Sequence, residues 1–229
     1  MVKDGWPFVL PFAALALLSF IAAFKSGRPG LWFLSFLLLF LALFFAYFFR
    51  DPERQIPFGE NLILSPADGK IVAVETLSEP LFLKSQAQKI SIFLSPLDVH
   101  INRIPVSGKV DYFSYLPGKF LAAYKDKAST DNEQTAIGIT SSNGKILFKQ
   151  IAGVLARRIV CRLKLGEEVT AGEKFGMIRF GSRVDIFLPE GLELKVQKGD
   201  KVTGGETIMA VAKTLTSTPE VQTPMGAKK

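Results

Sequence analysis

Two uncharged runs near the amino terminus constrain this chain more than any other feature. Trp6 to Phe24 (WPFVLPFAALALLSFIAAF) and Leu31 to Phe49 (LWFLSFLLLFLALFFAYFF) contain no acidic or basic residue. Each approaches the ~20 residues that a helix needs to cross a hydrocarbon core. Lys25-Ser-Gly-Arg-Pro-Gly30 between them is a turn by composition. The pair therefore predicts a transmembrane helical hairpin with both ends on one side. A second span so soon after the first argues against a removed secretory signal. Pro7 and Pro11 weaken the first helix and leave a re-entrant hairpin as the alternative to two crossings. Lys25 and Arg28 lie in the turn, and Lys3, Arg50 and Arg54 flank the other ends. That balance tilts the expectation toward a cytoplasmic carboxy-terminal domain on the inner cell membrane.

From Asp51 onward the pattern changes. Lys70–Val74, Lys89–Leu94, Gly108–Phe113, Ile146–Ile151, Val184–Leu188 and Glu193–Val196 are short β-rich runs separated by Gly and Pro. The one candidate helix of any length is Ala152 to Leu163. The expected division is a hairpin anchor at 1–50, a mainly β domain at 51–213 and a disordered polar tail at 214–229. Two phrases repeat. Gly166-Glu-Glu-Val-Thr-Ala-Gly-Glu173 returns as Gly199-Asp-Lys-Val-Thr-Gly-Gly-Glu206, and Pro66-Ala-Asp-Gly-Lys-Ile71 as Pro105-Val-Ser-Gly-Lys-Val110. The first phrase has glycines at both ends of a turn and a valine to pack inward. It resembles the turns of lipoyl- and biotinyl-type β-sandwich folds. Two copies are too few for a solenoid and point to an interlocked β architecture.

Composition removes some function classes. The net charge is +7, which suits an anionic membrane surface. The basic residues are scattered and no nucleic-acid motif is present, so nucleic acid is not an expected partner. Cys161 is the single cysteine and His100 the single histidine. No intrachain disulfide and no His- or Cys-based metal site can be built, and no metal is expected. Cys161, within Ile159-Val-Cys161, reads as a buried structural thiol.

Four segments carry possible chemistry: Leu64–Ile71, Phe93–Pro105, Ala128–Thr135, and Ile151–Val160 running on to Phe175–Asp185. Taken alone, each has an ordinary structural reading. Asp68 in Pro-Ala-Asp-Gly would bond its own turn, and His100 on an apolar strand would be a structural histidine. Phe180-Gly-Ser-Arg183 would be one more turn, and Arg157-Arg158 a solvated pair. Together and in order, the phrases S-P-A-D-G, F-L-S-P-L-D-V-H-I-N-R, Y-L-P-G-K-F, D-N-E-Q-T, I-A-G-V-L-A-R-R-I-V and I-R-F-G-S-R-V-D resemble the phosphatidylserine decarboxylase family in its short form. The resemblance covers roughly residues 50–212.

The resemblance implies self-cleavage between Gly181 and Ser182, giving a large and a small chain, with Ser182 becoming a covalent pyruvoyl cofactor. It implies phosphatidylserine in an anionic membrane as substrate and phosphatidylethanolamine and CO₂ as products. Asp68 and His100 match positions of the family's catalytic machinery. Longer members carry D-Y-H-x-x-H, whereas this chain has Asp98-Val-His100-Ile-Asn-Arg103. Arg103 thus replaces the second histidine, which puts a literal Ser-His-Asp relay in doubt. His100 is left to serve cleavage, decarboxylation or both. Arg103, Arg157, Arg158, Arg179 and Arg183 are candidates for the substrate's phosphodiester and carboxylate. Oligomeric state stays open, a homo-oligomer included.

Two rival readings are a non-enzymatic adaptor, with a lipoyl-like domain on a hairpin, and a membrane serine hydrolase using Ser182, His100 and Asp68. The adaptor leaves the Asp68, His100 and Ser182 phrases unexplained. The hydrolase lacks a Gly-x-Ser-x-Gly elbow.

Overall fold

A computed structural model of the protein describes residues 1–59, 61–119, 131–153, 158–179 and 182–212. A short 3₁₀ turn (Lys3–Gly5) leads into helix α1 (Trp6–Ser26), and helix α2 (Pro29–Phe48) follows. Pro7 sits in the first turn of α1, where a missing N–H costs nothing, and Pro11 is accommodated within the helix. Gly27 ends α1 in a left-handed cap at φ 65°, its N–H bonded to Ala23 O at 2.8 Å. Ala16, Ser19, Ala23, Ser35 and Ala42 are buried. The Ser19 and Ser35 hydroxyls both donate to Ala16 O, at 3.0 and 3.1 Å, the second of them from α2 to α1. Small residues with internally satisfied hydroxyls are how helices pack in lipid. Outward, Leu17, Leu18, Phe24, Phe33, Phe36 and Phe40 are 61–77% exposed. Both helices are long and apolar enough to cross a membrane.

Fourteen strands follow among the described residues. They are β1 (Leu62–Leu64), β2 (Gly69–Glu79), β3 (Ser85–Leu94), β4 (Ile101–Arg103), β5 (Gly108–Leu116), β6 (Gln134–Ser141), β7 (Gly144–Ile151), β8 (Ile159–Cys161), β9 (Glu168–Val169), β10 (Lys174–Ile178), β11 (Ser182–Pro189), β12 (Leu192–Leu194), β13 (Lys201–Val202) and β14 (Ile208–Ala212). A curled eight-stranded sheet runs β13-β2-β3-β11-β7-β6-β5-β9, beside three-stranded sheets β1-β14-β12 and β4-β10-β8. The core between them is built from Ile71, Ile90, Ile92, Ile137, Phe148, Phe175, Val184 and Ile186, with Ile63 and Met209. The fold is mainly β behind a helical hairpin, as the sequence pattern predicts. One expectation is corrected: Ile159–Cys161, placed in a helix at 152–163, forms β8 and pairs with β10. Two of its three residues are β-branched, and that chemistry favours a strand. Residues 154–157 and the tail at 214–229 lie outside the described residues.

The repeated phrases turn out to be two halves of one interlock. β13 of the second Gly-Glu phrase pairs with Gly69-Lys70, and β9 of the first pairs with Gly108-Lys109. The hydrogen bonds match one for one. Ile71 N–H donates to Asp200 O as Val110 N–H does to Glu167 O, and Gly205 N–H to Ser65 O as Gly172 N–H does to Ile104 O. Leu64 N–H donates to Pro105 O and Arg103 N–H to Pro66 O, crossing the halves over each other. Gly69 and Gly108 share φ near +153° (152° and 154°). A Cβ at either would lie 2.3 Å from a carbonyl oxygen of the neighbouring strand, Phe93 O or Thr140 O, so glycine is required.

Candidate active site

Ser182 and His100 both flank the passages of the chain between the large and the small sheet. β10 is bonded to β4 in the small sheet, and three residues after Arg179 the chain enters the large sheet as β11. Ser182 is the first residue of β11 and is paired with Leu94, the last of β3. After Leu94 the chain turns at Ser95–Asp98, where Ser95 N–H donates to Asp98 Oδ2 at 2.7 Å, and reaches His100. The His100 carbonyl accepts the Ile178 N–H across the β4/β10 edge at 3.4 Å. Ser182 and His100 are both 0% exposed. The Ser182 Oγ and the His100 Nε2 are each buried without a hydrogen-bond partner. Native interiors rarely leave such atoms orphaned, and a catalytic role is one explanation for those that are.

The imidazole is held from two sides. Its Nδ1 lies 2.9 Å from the Asp98 carbonyl oxygen. A carbonyl can only accept, so Nδ1 carries the hydrogen and Nε2 presents the lone pair. The other side is helix α2: the Phe48 ring at its end lies 4.1 Å from the imidazole, centroid to centroid. Burial lowers the His100 pKa to about 4, the Asp98 carbonyl and carboxylate oppose the shift, and Arg50 adds to it. His100 is therefore a neutral base at physiological pH. Around it Phe48, Phe49 and Met177 form a small core joined by Val2, Phe8, Phe45 and Val160. The foot of the hairpin thus forms one wall of the site. Arg50, stacked on Tyr47 at 3.9 Å, bonds Leu97 O at 2.8 Å and fixes that foot to the Ser95–Asp98 turn.

Asp68 stands in the interlock. Its Oδ1 accepts the Gly204 N–H at 2.8 Å, the bond that Ser107 Oγ makes to Ala171 N–H in the other half at 2.9 Å. Its Oδ2 accepts from Arg54 Nη2 at 2.8 Å. Burial raises its pKa, the Gly204 N–H and Arg54 oppose that, and Asp98 adds to it. The hydrogen bonds of Asp68 thus go to Gly204 and Arg54, while the group that orients His100 is the Asp98 carbonyl. Arg54 belongs to a linker pinned to the domain at several points: Asp51 to Lys174 at 2.6 Å, Gln55 N–H to Glu206 Oε1 at 2.9 Å, and Ile56 against Gly172 and Gly205.

The five candidate arginines separate. Arg183 is 2% exposed and bonds Asp185 at 2.6 Å and Ser91 at 2.7 Å. Arg103 is buried and donates to Gly172 O at 2.8 Å. Arg158 is exposed. Arg179 has a buried Nε with no partner. Arg157 and Gly181 lie outside the described residues. Sequence reasoning did not single out Asp98, Phe48 or Arg54. Asp98 carried a signal, since it stands two residues before His100 in the quoted phrase, but Phe48 and Arg54 had none. No group of three or more His, Cys, Asp or Glu capable of holding a metal occurs among the described residues.

A buried serine and a buried neutral imidazole, each with an unpaired polar atom, in a mainly β fold whose apolar helical hairpin packs on that imidazole, are the features of a candidate active site. Comparison with known proteins makes this specific. The family model for phosphatidylserine decarboxylase matches residues 41–210. A phosphatidylserine decarboxylase proenzyme from Symbiobacterium thermophilum is 44% identical over 210 residues, covering 91% of this chain and 94% of that protein. Proenzymes of the same name from Chlorobaculum tepidum and Paraburkholderia phymatum are each 46% identical, covering 88% and 92% of this chain and 93% and 96% of their own. The chain belongs to the phosphatidylserine decarboxylase family, and it is an enzyme.

Proposed function

We propose that this protein cuts itself between Gly181 and Ser182, converts Ser182 into a pyruvoyl group, and with it decarboxylates phosphatidylserine to phosphatidylethanolamine and CO₂. The observation that carries this reading is the fully buried Ser182, whose hydroxyl has no partner, in a chain whose single histidine, His100, is also fully buried with an unpaired Nε2. A hydrolytic serine must meet water and substrate at every turnover. A serine spent in an intramolecular step can react while buried in the uncut chain, before any substrate arrives.

In the first step Ser182 Oγ attacks the Gly181 carbonyl carbon. The Gly181–Ser182 peptide C–N bond breaks, leaving an ester on Oγ and a free amine at Ser182. His100 Nε2 suits the transfer of the hydroxyl proton to that nitrogen. Loss of the Ser182 Cα proton then breaks the Cβ–O bond, and the large chain leaves as a carboxylate ending at Gly181. The remaining dehydroalanine takes up water and loses ammonia, which yields the pyruvoyl cap of the small chain. The full burial of Ser182 at the start of a strand paired with β3 suits such a group, and the single histidine of the chain supplies a neutral base. Once formed, the group supplies two adjacent carbonyls, one to condense with the substrate amine and one to accept electrons as CO₂ departs. His100, neutral because it is buried, suits the relay of a proton that the substrate amine gives up, taken first onto Nε2 and then passed to the substrate α-carbon. Asp68, held by Arg54 and Gly204, stands in the interlock of the two halves.

The hairpin at 1–50 holds the domain at 51–213 on the inner cell membrane, with the domain on the cytoplasmic side, where the substrate's head group lies. The test is CO₂ release from carboxyl-labelled phosphatidylserine. Wild-type protein should release it, and Ser182→Ala should remain one uncut chain and release none. An uncut Ser182→Ala protein with normal turnover would overturn the proposal.

A further inference from the structure

The hairpin fixes the depth of everything that touches it. α1 begins at Trp6 and α2 ends at Phe48, so the domain groups packed on Phe8, Phe45, Phe48 and Phe49 lie at the level of lipid head groups. At that level two guanidinium groups share one carboxylate. Arg162 bonds Asp4 Oδ2 at 2.5 Å, and Arg179 reaches Asp4 Oδ1 only at 4.0 Å. Arg179 also donates its backbone N–H to Arg158 O at 3.4 Å, which brings the two residues together.

Arg179 is the under-compensated member. Its side chain is 16% exposed, its guanidinium stands 5.2 Å over the Phe8 ring, and its buried Nε has no acceptor. Burial first and Arg158 second lower its pKa, against the pull of Asp4. A buried cation with a free donor and too little negative charge around it is an anion site waiting for its ligand. It also lies three residues before Ser182, a span of at most ~10 Å along an extended chain. Arg183 spends its donors inside the fold on Asp185 and Ser91, and Arg103 donates to Gly172 O on the far side of the Asp68 interlock.

We infer that Arg179, with Arg158 beside it, holds the phosphodiester of the phospholipid substrate, so that the serine head group is engaged at bilayer depth and the lipid is not lifted out. This rests on the decarboxylase reading above. A phosphodiester supplies two acceptor oxygens in the plane a guanidinium fork prefers, and the hairpin side of the site is where a lipid arriving within the leaflet presents it.

The experiment compares two amphiphiles in non-ionic detergent micelles: phosphatidylserine, then the only phosphodiester present, and an O-alkyl serine that lacks phosphate. In the full-length protein, Arg179→Gln should lower the ratio of kcat/KM for phosphatidylserine to that for the O-alkyl serine about 10- to 100-fold, mostly through KM. Arg179→Lys should recover part of it. An unchanged ratio would overturn the inference, including the case in which both substrates decline together. Should Arg179→Gln fail to mature, Arg179→Lys decides: a ratio below that of wild type supports the site, and an unchanged ratio overturns it. Failure of the decarboxylase reading looks different, since wild type would then stay uncut and release no CO₂ from either compound.

Discussion

His100 offers a quantitative test because it is the chain's single histidine. Its pKa is lowered from 6.5 to about 4 in the fold. In the unfolded chain it takes a proton as the pH falls through about 6.5, whereas the folded protein resists until about 4. Its contribution is thus fully present above pH 6.5 and is lost progressively between 6.5 and 4. At 1.36 kcal/mol per unit, the whole loss is about 3 kcal/mol, and about 2 kcal/mol has gone by pH 5. For a protein of this size that corresponds to roughly 4–8 °C in Tm. The clean comparison is Ser182→Ala against Ser182→Ala/His100→Gln, both uncut, melted in detergent at pH 7.5 and pH 5 by near-ultraviolet circular dichroism. The histidine-bearing protein should lose that much more on acidification than its partner. Adding Phe48→Ala should readmit water to the ring, raise its pKa toward 6.5 and shrink the difference. Parallel losses in the first pair would refute the claim that His100 is buried neutral.

Other consequences are open to direct test. Arg54→Gln should weaken the hold on the Asp68 carboxylate, whose pKa burial already raises, and slow self-cleavage more at pH 6 than at pH 8. Equal slowing at both values, followed as precursor loss on denaturing gels, would separate Arg54 from Asp68. The large chain should stay in the bilayer after high-salt and carbonate washing, because an apolar hairpin is not held by screened charge. Deleting residues 1–49 should release much of the protein while removing Phe48 from His100, so the freed domain should turn over poorly even with dispersed substrate.

Much of this architecture was legible because its signals are local. Uncharged runs become α1 and α2, and the six β-rich runs become β2, β3, β5, β7, β11 and β12. Strands β6 and β10 were not, for physical reasons. Gln134 to Ile139 are all buried, so no alternation marks β6. β10 carries Gly176 in its middle, where a Cβ would come within 2.1 Å of Val160 O. The repeated phrases announced an interlocked fold, but only the register shows that each copy pairs with the other repeat's glycine turn. At the site, Ser182 and His100 stood in recognisable phrases. Their surroundings did not, because Asp98 acts through its carbonyl, Phe48 through a ring face, and Arg54 from a linker 14 residues upstream of Asp68.

The central claim is that Ser182 is consumed in making the cofactor, and intact mass spectrometry of purified active protein tests it most directly. The account predicts two chains, one of 181 residues ending at Gly181 and one holding the remaining 48 of the 229 residues. The small chain should carry a ketoacyl amino terminus that resists Edman degradation and gains mass with a carbonyl reagent. A single uncut 25.2 kDa species that releases CO₂ from phosphatidylserine would contradict it.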